Sequence, residues 1–307
     1  MNNYMYFDTH CDTLTKIYAK GMNFDNRECM MSLDKISGYA GYAQMFAVFN
    51  NGTLNRLDML SHFDFLKAQC EKYAEKIGFV VLSDEISRNL RRKIASAMLS
   101  VEAVGNQPDF DIKCIKEYSD SGVRMMSLCW NNDTVLCGGI EKNVSGLTEL
   151  GKKVLSVMEE HKIILDVSHM SDQSFYEAFE HYSLPIVASH SNSRTVTSDM
   201  RNITDEQFML IKTRGGVCGI NFYPPFLGND GILSAIRHIE HFMSLGGENN
   251  ICIGSDFDGI DITSSGLQDS SCVAKLFEEL ARLNYKDSTI SKIAFGNFYN
   301  LLTNFEI

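Results

Sequence analysis

Residues 7–12 read Phe7-Asp8-Thr9-His10-Cys11-Asp12 and follow the apolar run Tyr4-Met5-Tyr6. Side chains alternate between the two faces of a strand, so His10 and Asp12 point the same way and can close on one ion. Cys11 points to the opposite face and is not counted as a ligand. A single H-x-D is also what a strand end with a capping Asp looks like. Its weight comes from repetition, because four other strand-like runs end on polar groups: Val101-Glu102, Val167-Ser168-His169, Ala188-Ser189-His190 and Gly254-Ser255-Asp256. Potential ligands gathered at the C-terminal ends of many strands are the pattern of a barrel active site.

Working outward, the chain supplies eight such runs. The second is Gly41–Phe49, continuously apolar as buried parallel strands are, and it follows a loop rich in Met, Asp and Gly. The others are residues 94–101, 123–130, 162–167, 185–188, 217–222 and 251–254. Helical spacing occupies 54–77, with Leu57, Leu60, Phe63 and Leu66 in one stripe, then 112–121 closed by Gly122, and 148–161. Further helices run from Ser171-Asp172 to Tyr182, from Thr204 to the stop at Gly215-Gly216, over 232–245, and over about 271–283 and 287–302. Eight strands separated by helices, with no repeat or linker, predict an α/β fold: a single (β/α)8 TIM barrel over residues 1–307. A doubly wound sheet is the structural alternative. It would need a glycine-rich phosphate turn where His10-Cys11-Asp12 stands.

A chain of 307 residues suits one large α/β domain. Its 28 Lys and Arg against 39 Asp and Glu give a net charge of −11, which argues against a nucleic-acid partner. The one basic cluster, residues 88–93, reads as a solvated face just before a strand. Met1-Asn2-Asn3-Tyr4 lacks the basic and apolar regions of a signal peptide, so the mature chain is expected to start at Met1. No run approaches the roughly 20 apolar residues that span a bilayer, and the chain ends at Asn304-Phe305-Glu306-Ile307 without a hydrophobic tail. The expectation is a cytoplasmic protein with no membrane partner. Nine cysteines, an odd number with no C-x-x-C, fit reduced buried thiols.

His10, Asp12, Glu102, His169 and His190 together offer three imidazoles and two carboxylates. Such N and O donors suit zinc better than magnesium or calcium. Five donors exceed one open catalytic zinc and suit two ions sharing a bridging carboxylate, the arrangement of a two-metal hydrolase. His62, His161, His181, His238 and His241 fall on helices or helix ends and read as surface or packing residues.

Asp8 to Leu14, Ser100 to Glu102, Leu165 to Ser171, Ser189 to Asn192, Arg201-Asn202, Asn221 to Tyr223 and Gly254 to Gly259 appear in this order, and Gly296-Asn297-Phe298 resembles a terminal signature. In these stretches the sequence resembles the renal or membrane dipeptidase family of metallopeptidases, as a bacterial-type soluble member. The resemblance implies a barrel of the metallo-dependent hydrolase type with two zinc ions per subunit. It also implies cleavage of small dipeptide substrates, including those with a C-terminal D-residue, through a hydroxide bridging the ions. By the same resemblance, His10, Asp12 and Glu102 hold one zinc, and Glu102 bridges to a second held by His169 and His190. Asp256 is the acidic proton carrier, and Arg201, Trp130, Asn202 and Tyr223 surround the substrate. Members of the family often form homodimers.

Two departures stand out. Cys129-Trp130-Asn131-Asn132 places Trp130 where the family's best-studied members have a substrate-contacting histidine, and Pro224-Pro225-Phe226 offers only Phe226 where they have an aromatic hydroxyl. Two rival readings stay open. One is a two-metal amidohydrolase acting on N-acyl amino acids, cyclic amides or lactones. The other is a metal-binding barrel without turnover.

Overall fold

The computed structural model describes residues 4–305. The readings of residues 1–3 as a plain start and of 306–307 as a tailless end lie outside the described residues. The strands are β1 (Met5–Cys11), β2 (Gly41–Phe49), β3 (Ile77–Phe79), β4 (Ala95–Glu102), β5 (Val123–Ser127), β6 (Ile164–Asp166), β7 (Ile186–Ala188), β8 (Val217–Ile220) and β9 (Ile251–Ile253). All pair in parallel, and β2 pairing with both β1 and β4 closes eight of them into a barrel. The ninth, β3, lies against Ala95–Ala97 of β4, ahead of the point where β5 joins at Leu99.

That short strand corrects the helix expected over 54–77. The helix is Arg56–Lys72, opened by an Asn55 capping box. Phe63 and Leu66 of the expected stripe are buried with Met59, and Leu60 packs partly buried against the core, whereas Leu57 is 67% exposed. After β3, the helix Ser83–Arg92 carries the basic cluster, and Glu85 Oε2 accepts from the Val81 and Leu82 amides at its start. The helix Thr13–Lys20 replaces the first part of the expected loop. Expected strands 123–130, 162–167 and 217–222 are shorter than read, because their ends turn into the loops that build the site.

Eight strands each contribute to one apolar layer: Phe7, Met45, Met98, Met125, Ile164, Val187, Val217 and Cys252. Phe298 of the C-terminal helix Asn297–Asn304 closes this layer, its ring 4.8 Å from Phe7 and edge-on to it. Burying each such large side chain is worth about 1.5–3 kcal/mol. Phe7 precedes His10 on β1 and Met98 precedes Glu102 on β4, so the plug fills the end of the barrel away from the polar groups.

One irregularity positions the opening motif. β1 pairs Asp8 with Gln44 and Cys11 with Phe46, so one extra residue on β1 forms a bulge. Thr9 and His10 therefore both face the barrel interior. Thr9 Oγ1 lies 2.6 Å from Ser189 O and 2.9 Å from Ile253 O across it. Cys11 packs in the apolar layer outside, as expected.

Candidate active site

Each candidate ligand sits at or just past a strand end. His10 and Asp12 end β1, Glu102 is the last residue of β4, His169 and His190 follow β6 and β7, and Asp256 follows β9. His169 and Asp256 have φ of 73° and 64°, a conformation that non-glycine residues rarely adopt and that costs of the order of 1–3 kcal/mol. Here it turns both side chains in toward the barrel axis.

The structure brings the five donors together. His10 Nε2 lies 3.4 Å from Asp12 Oδ2 and 3.5 Å from Glu102 Oε2, while His169 Nε2 lies 3.0 Å from Glu102 Oε1 and 2.9 Å from His190 Nε2. The His10 and His190 rings stack 3.8 Å apart. Two buried triples arise within this set, His10 with Asp12 and Glu102, and Glu102 with His169 and His190, and a third adds Asp166 to His10 and His190, the donor atoms of each within 4.8 Å of one another. His10 Nε2 and Asp12 Oδ1 are buried without a hydrogen-bond partner. A buried polar atom without a partner is costly, so these two fit a cation between them.

Electrostatics agree with that fit. Burial pulls His169 down to about 4 and His190 well below its usual range, with the Arg201 charge adding to both, so their nitrogens are neutral donors. Burial opposes the charge on Glu102, but the adjoining His10 and His169 imidazoles outweigh it and hold the carboxyl well below its usual range. At His10 burial again opposes the charge, and Asp12 and Glu102 override it and raise the imidazole well above its ordinary value. The pull these carboxylates exert on a proton there is the pull they would exert on a metal ion. Asp256 is pushed up to about 7 by burial, with Asp12 and Glu102 adding to the effect, and its Oδ2 accepts from Asn221 Nδ2 at 3.0 Å.

Groups outside the predicted set hold the ligands in place. Asp166 Oδ1 accepts from the Ser168 and Ser189 amides, each at 3.0 Å, and Oδ2 accepts from the Ser189 hydroxyl. Ser189 Oγ lies 2.7 Å from His190 Nδ1; its own proton goes to Asp166, so it accepts the Nδ1 proton and leaves Nε2 free to bind metal. Asn131 Oδ1 at 2.7 Å and Arg201 Nε at 3.2 Å both meet His169 Nδ1 and hold that ring with its Nε2 toward Glu102. Asp8 accepts from the Ser255 and His10 amides at 2.9 and 3.3 Å, joining β1 to the segment that carries Asp256. The signal for Asp8 and Asp166 was an acidic residue inside an apolar strand, which must be satisfied internally. Ser189→Ala is expected to weaken metal binding about 10–100-fold in competition with a chromophoric chelator. An unchanged affinity would show that something else orients His190.

The metal-facing groups open into a cleft of about 560 Å³ lined by Phe49, Trp130, Tyr223 and Phe226 together with Asp256 and Lys16. Tyr223, expected beside the substrate, lines this cleft together with Phe226. Arg201 is 6% exposed, its Nη1 donates to Ser191 Oγ at 2.8 Å, and its Nη2 is buried without a partner. Asn202 does not face the cleft: its amide donates to the carbonyls of Thr197 and Phe226 at 2.9 and 2.8 Å, so it braces the loop beside the substrate side. His62, His238 and His241 stand apart from the site, stacked on Tyr18, bridging Ser193 N and Leu227 O, and paired with Asp205 respectively.

Histidines and carboxylates converging at the ends of parallel barrel strands define a barrel metalloenzyme. The family model described as Membrane dipeptidase (Peptidase family M19) matches residues 1–306. An uncharacterized dipeptidase of Schizosaccharomyces pombe is 30% identical over 239 residues, 74% of this chain and 57% of that protein. Dipeptidase 3 of Rattus norvegicus is 26% identical over 257 residues, 80% of this chain and 52% of that protein. A metallopeptidase of Rhodobacter sphaeroides, solved with a phosphinate mimic of the dipeptide L-Ala-D-Ala, shares the fold with a TM-score of 0.88 at 22% identity, covering 98% of this chain and 99% of that one. The chain belongs to the membrane dipeptidase family, a family of metallo-dipeptidases. No helix among the described residues is long and apolar enough to cross a membrane.

Proposed function

We propose that the protein is a zinc-dependent dipeptidase that holds two ions per subunit, one by His10, Asp12 and Glu102 and one by Glu102, His169 and His190. The observation that carries this reading is Glu102, whose two oxygens face different imidazoles, Oε1 toward His169 at 3.0 Å and Oε2 toward His10 at 3.5 Å. Zinc bound there would lower the pKa of a water to about 7 and polarise the peptide carbonyl. The chain's own residues do the rest. Asp256, which lines the cleft beside Asp12 and Glu102, takes the proton from the attacking water and passes it to the departing amine. Arg201, with an unpartnered Nη2, grips the free α-carboxylate through charge-assisted hydrogen bonds and limits substrates to those with a free C-terminus. Acceptance of a C-terminal D-residue is part of the proposal, supported by the L-Ala-D-Ala mimic bound to the Rhodobacter relative.

Hydrolysis of an L-L and L-D dipeptide library by zinc-loaded and metal-stripped protein, with C-terminally amidated controls, tests this reading. The expected result is zinc-dependent cleavage confined to free C-termini. Turnover of acylated amino acids or lactones, with dipeptides left intact, would overturn it in favour of an amidohydrolase.

A further inference from the structure

The space above the ligands is not one cleft but two that share a wall. The first, of about 560 Å³, runs from the metal-facing carboxylates past Thr15, Ala19, Phe49 and Ile260. The second, of about 440 Å³, contains Arg201, Ile140 and Met200. Trp130, Asn131 and Phe226 line both, and so form the divide. The rings around it are fixed against one another. Trp130 meets Phe49 at 5.5 Å and 60°, Tyr223 meets Phe226 at 5.0 Å and 75°, and the Arg201 guanidinium sits 5.8 Å from the Phe226 ring centroid.

This geometry gives a substrate a direction. Arg201 lies in the second lobe, so a carboxylate bound there puts the C-terminal residue on that side. The scissile bond then lies over His169 and Glu102, on the first-lobe side of the divide. The N-terminal side chain has only the first lobe to enter. Away from the ligands it meets Phe49 and Trp130, in contact with each other, together with Ile260 and Ala19. Its charge is negative, because Asp258 is taken up by Lys16 at 2.7 Å, whereas Asp261 is exposed at the rim with no cation paired to it among the described residues.

Resting on the dipeptidase reading above, we propose that the first lobe selects dipeptides with a large apolar or aromatic N-terminal residue, with Phe49 and Trp130 as the specificity-determining side chains. Acidic N-terminal residues are disfavoured. Burying a side chain of that size against an aromatic wall gives a preference of roughly tenfold to a hundredfold in kcat/KM over the alanine counterpart.

Trp130 is the only tryptophan in the chain, so its emission reports on this wall alone. Two measurements on the zinc-loaded protein test the proposal. The first compares kcat/KM for Phe-Ala, Leu-Ala, Ala-Ala and Glu-Ala in the parent and in Phe49→Ala, with Phe49→Leu as the milder variant should the first not fold. The expected order is Phe and Leu above Ala above Glu, with the Phe-to-Ala ratio collapsing toward one when Phe49 is truncated. The second titrates phosphinic mimics of Phe-Ala and Ala-Ala against Trp130 fluorescence in the parent. The expected result is an emission change at a concentration at least tenfold lower for the Phe mimic. Equal kcat/KM for Phe-Ala and Ala-Ala, or equal titration by the two mimics, would overturn the lobe assignment while leaving a dipeptidase. Failure to cleave any free dipeptide would overturn the dipeptidase reading and this proposal with it.

Discussion

Glu102→Gln is expected to drop the bound zinc below two ions per chain and to lower kcat/KM by at least about a thousandfold. The reason lies in what an amide offers in that position. Glu102 presents one anionic oxygen 3.0 Å from His169 Nε2 and the other 3.5 Å from His10 Nε2, with the side chain almost wholly buried. Gln keeps the size but supplies only one acceptor, and its NH₂ group must face one of the two ligand sets as a donor. One triple therefore loses a ligand outright, and both lose the negative charge that opposes the repulsion between two closely placed cations. Metal content by elemental analysis and steady-state kinetics check the result together. A variant that retained two zincs and the parental rate would rule out a bridging Glu102.

Arg201→Ala is expected to lower kcat/KM for free dipeptides by roughly thirtyfold to several thousandfold, the 2–5 kcal/mol typical of removing one partner of a buried charge pair. C-terminally amidated dipeptides, which have no carboxylate to lose, should lose much less. Arg201 is buried, one guanidinium nitrogen is anchored to Ser191, and another is left without a partner beside the second lobe. A buried cation in that state is waiting for an anion. Its Nε also lies 3.2 Å from His169 Nδ1, so truncation could disturb the ligand as well as the substrate. Zinc content separates the two effects. If metal is retained and the free and amidated substrates decline in parallel, Arg201 is not the carboxylate anchor.

The sequence by itself determined the parts whose signal is local. Alternating and continuous apolar runs marked the eight barrel strands, and polar groups at the ends of four of them marked His10, Asp12, Glu102, His169 and His190, because strand periodicity places side chains without reference to the rest of the chain. Ring closure through β2 and β4, the extra strand at Ile77–Phe79, and the turning outward of Leu57 were decided by long-range pairing and packing, which a local pattern does not encode. The same holds inside the site. Ser189 and Asp166 lie 23 residues apart in sequence and act on His190 only once β6 and β7 are neighbours. Asn202, adjacent to Arg201, looked like a substrate contact and is a loop brace, because neighbours in an irregular loop need not face the same way. The division of the cleft at Trp130 and Phe226 brings together a loop and the one-turn helix Pro224–Leu227, nearly a hundred residues apart. What the strands contribute is fixed by periodicity; what the loops contribute depends on which of them the closed barrel brings face to face.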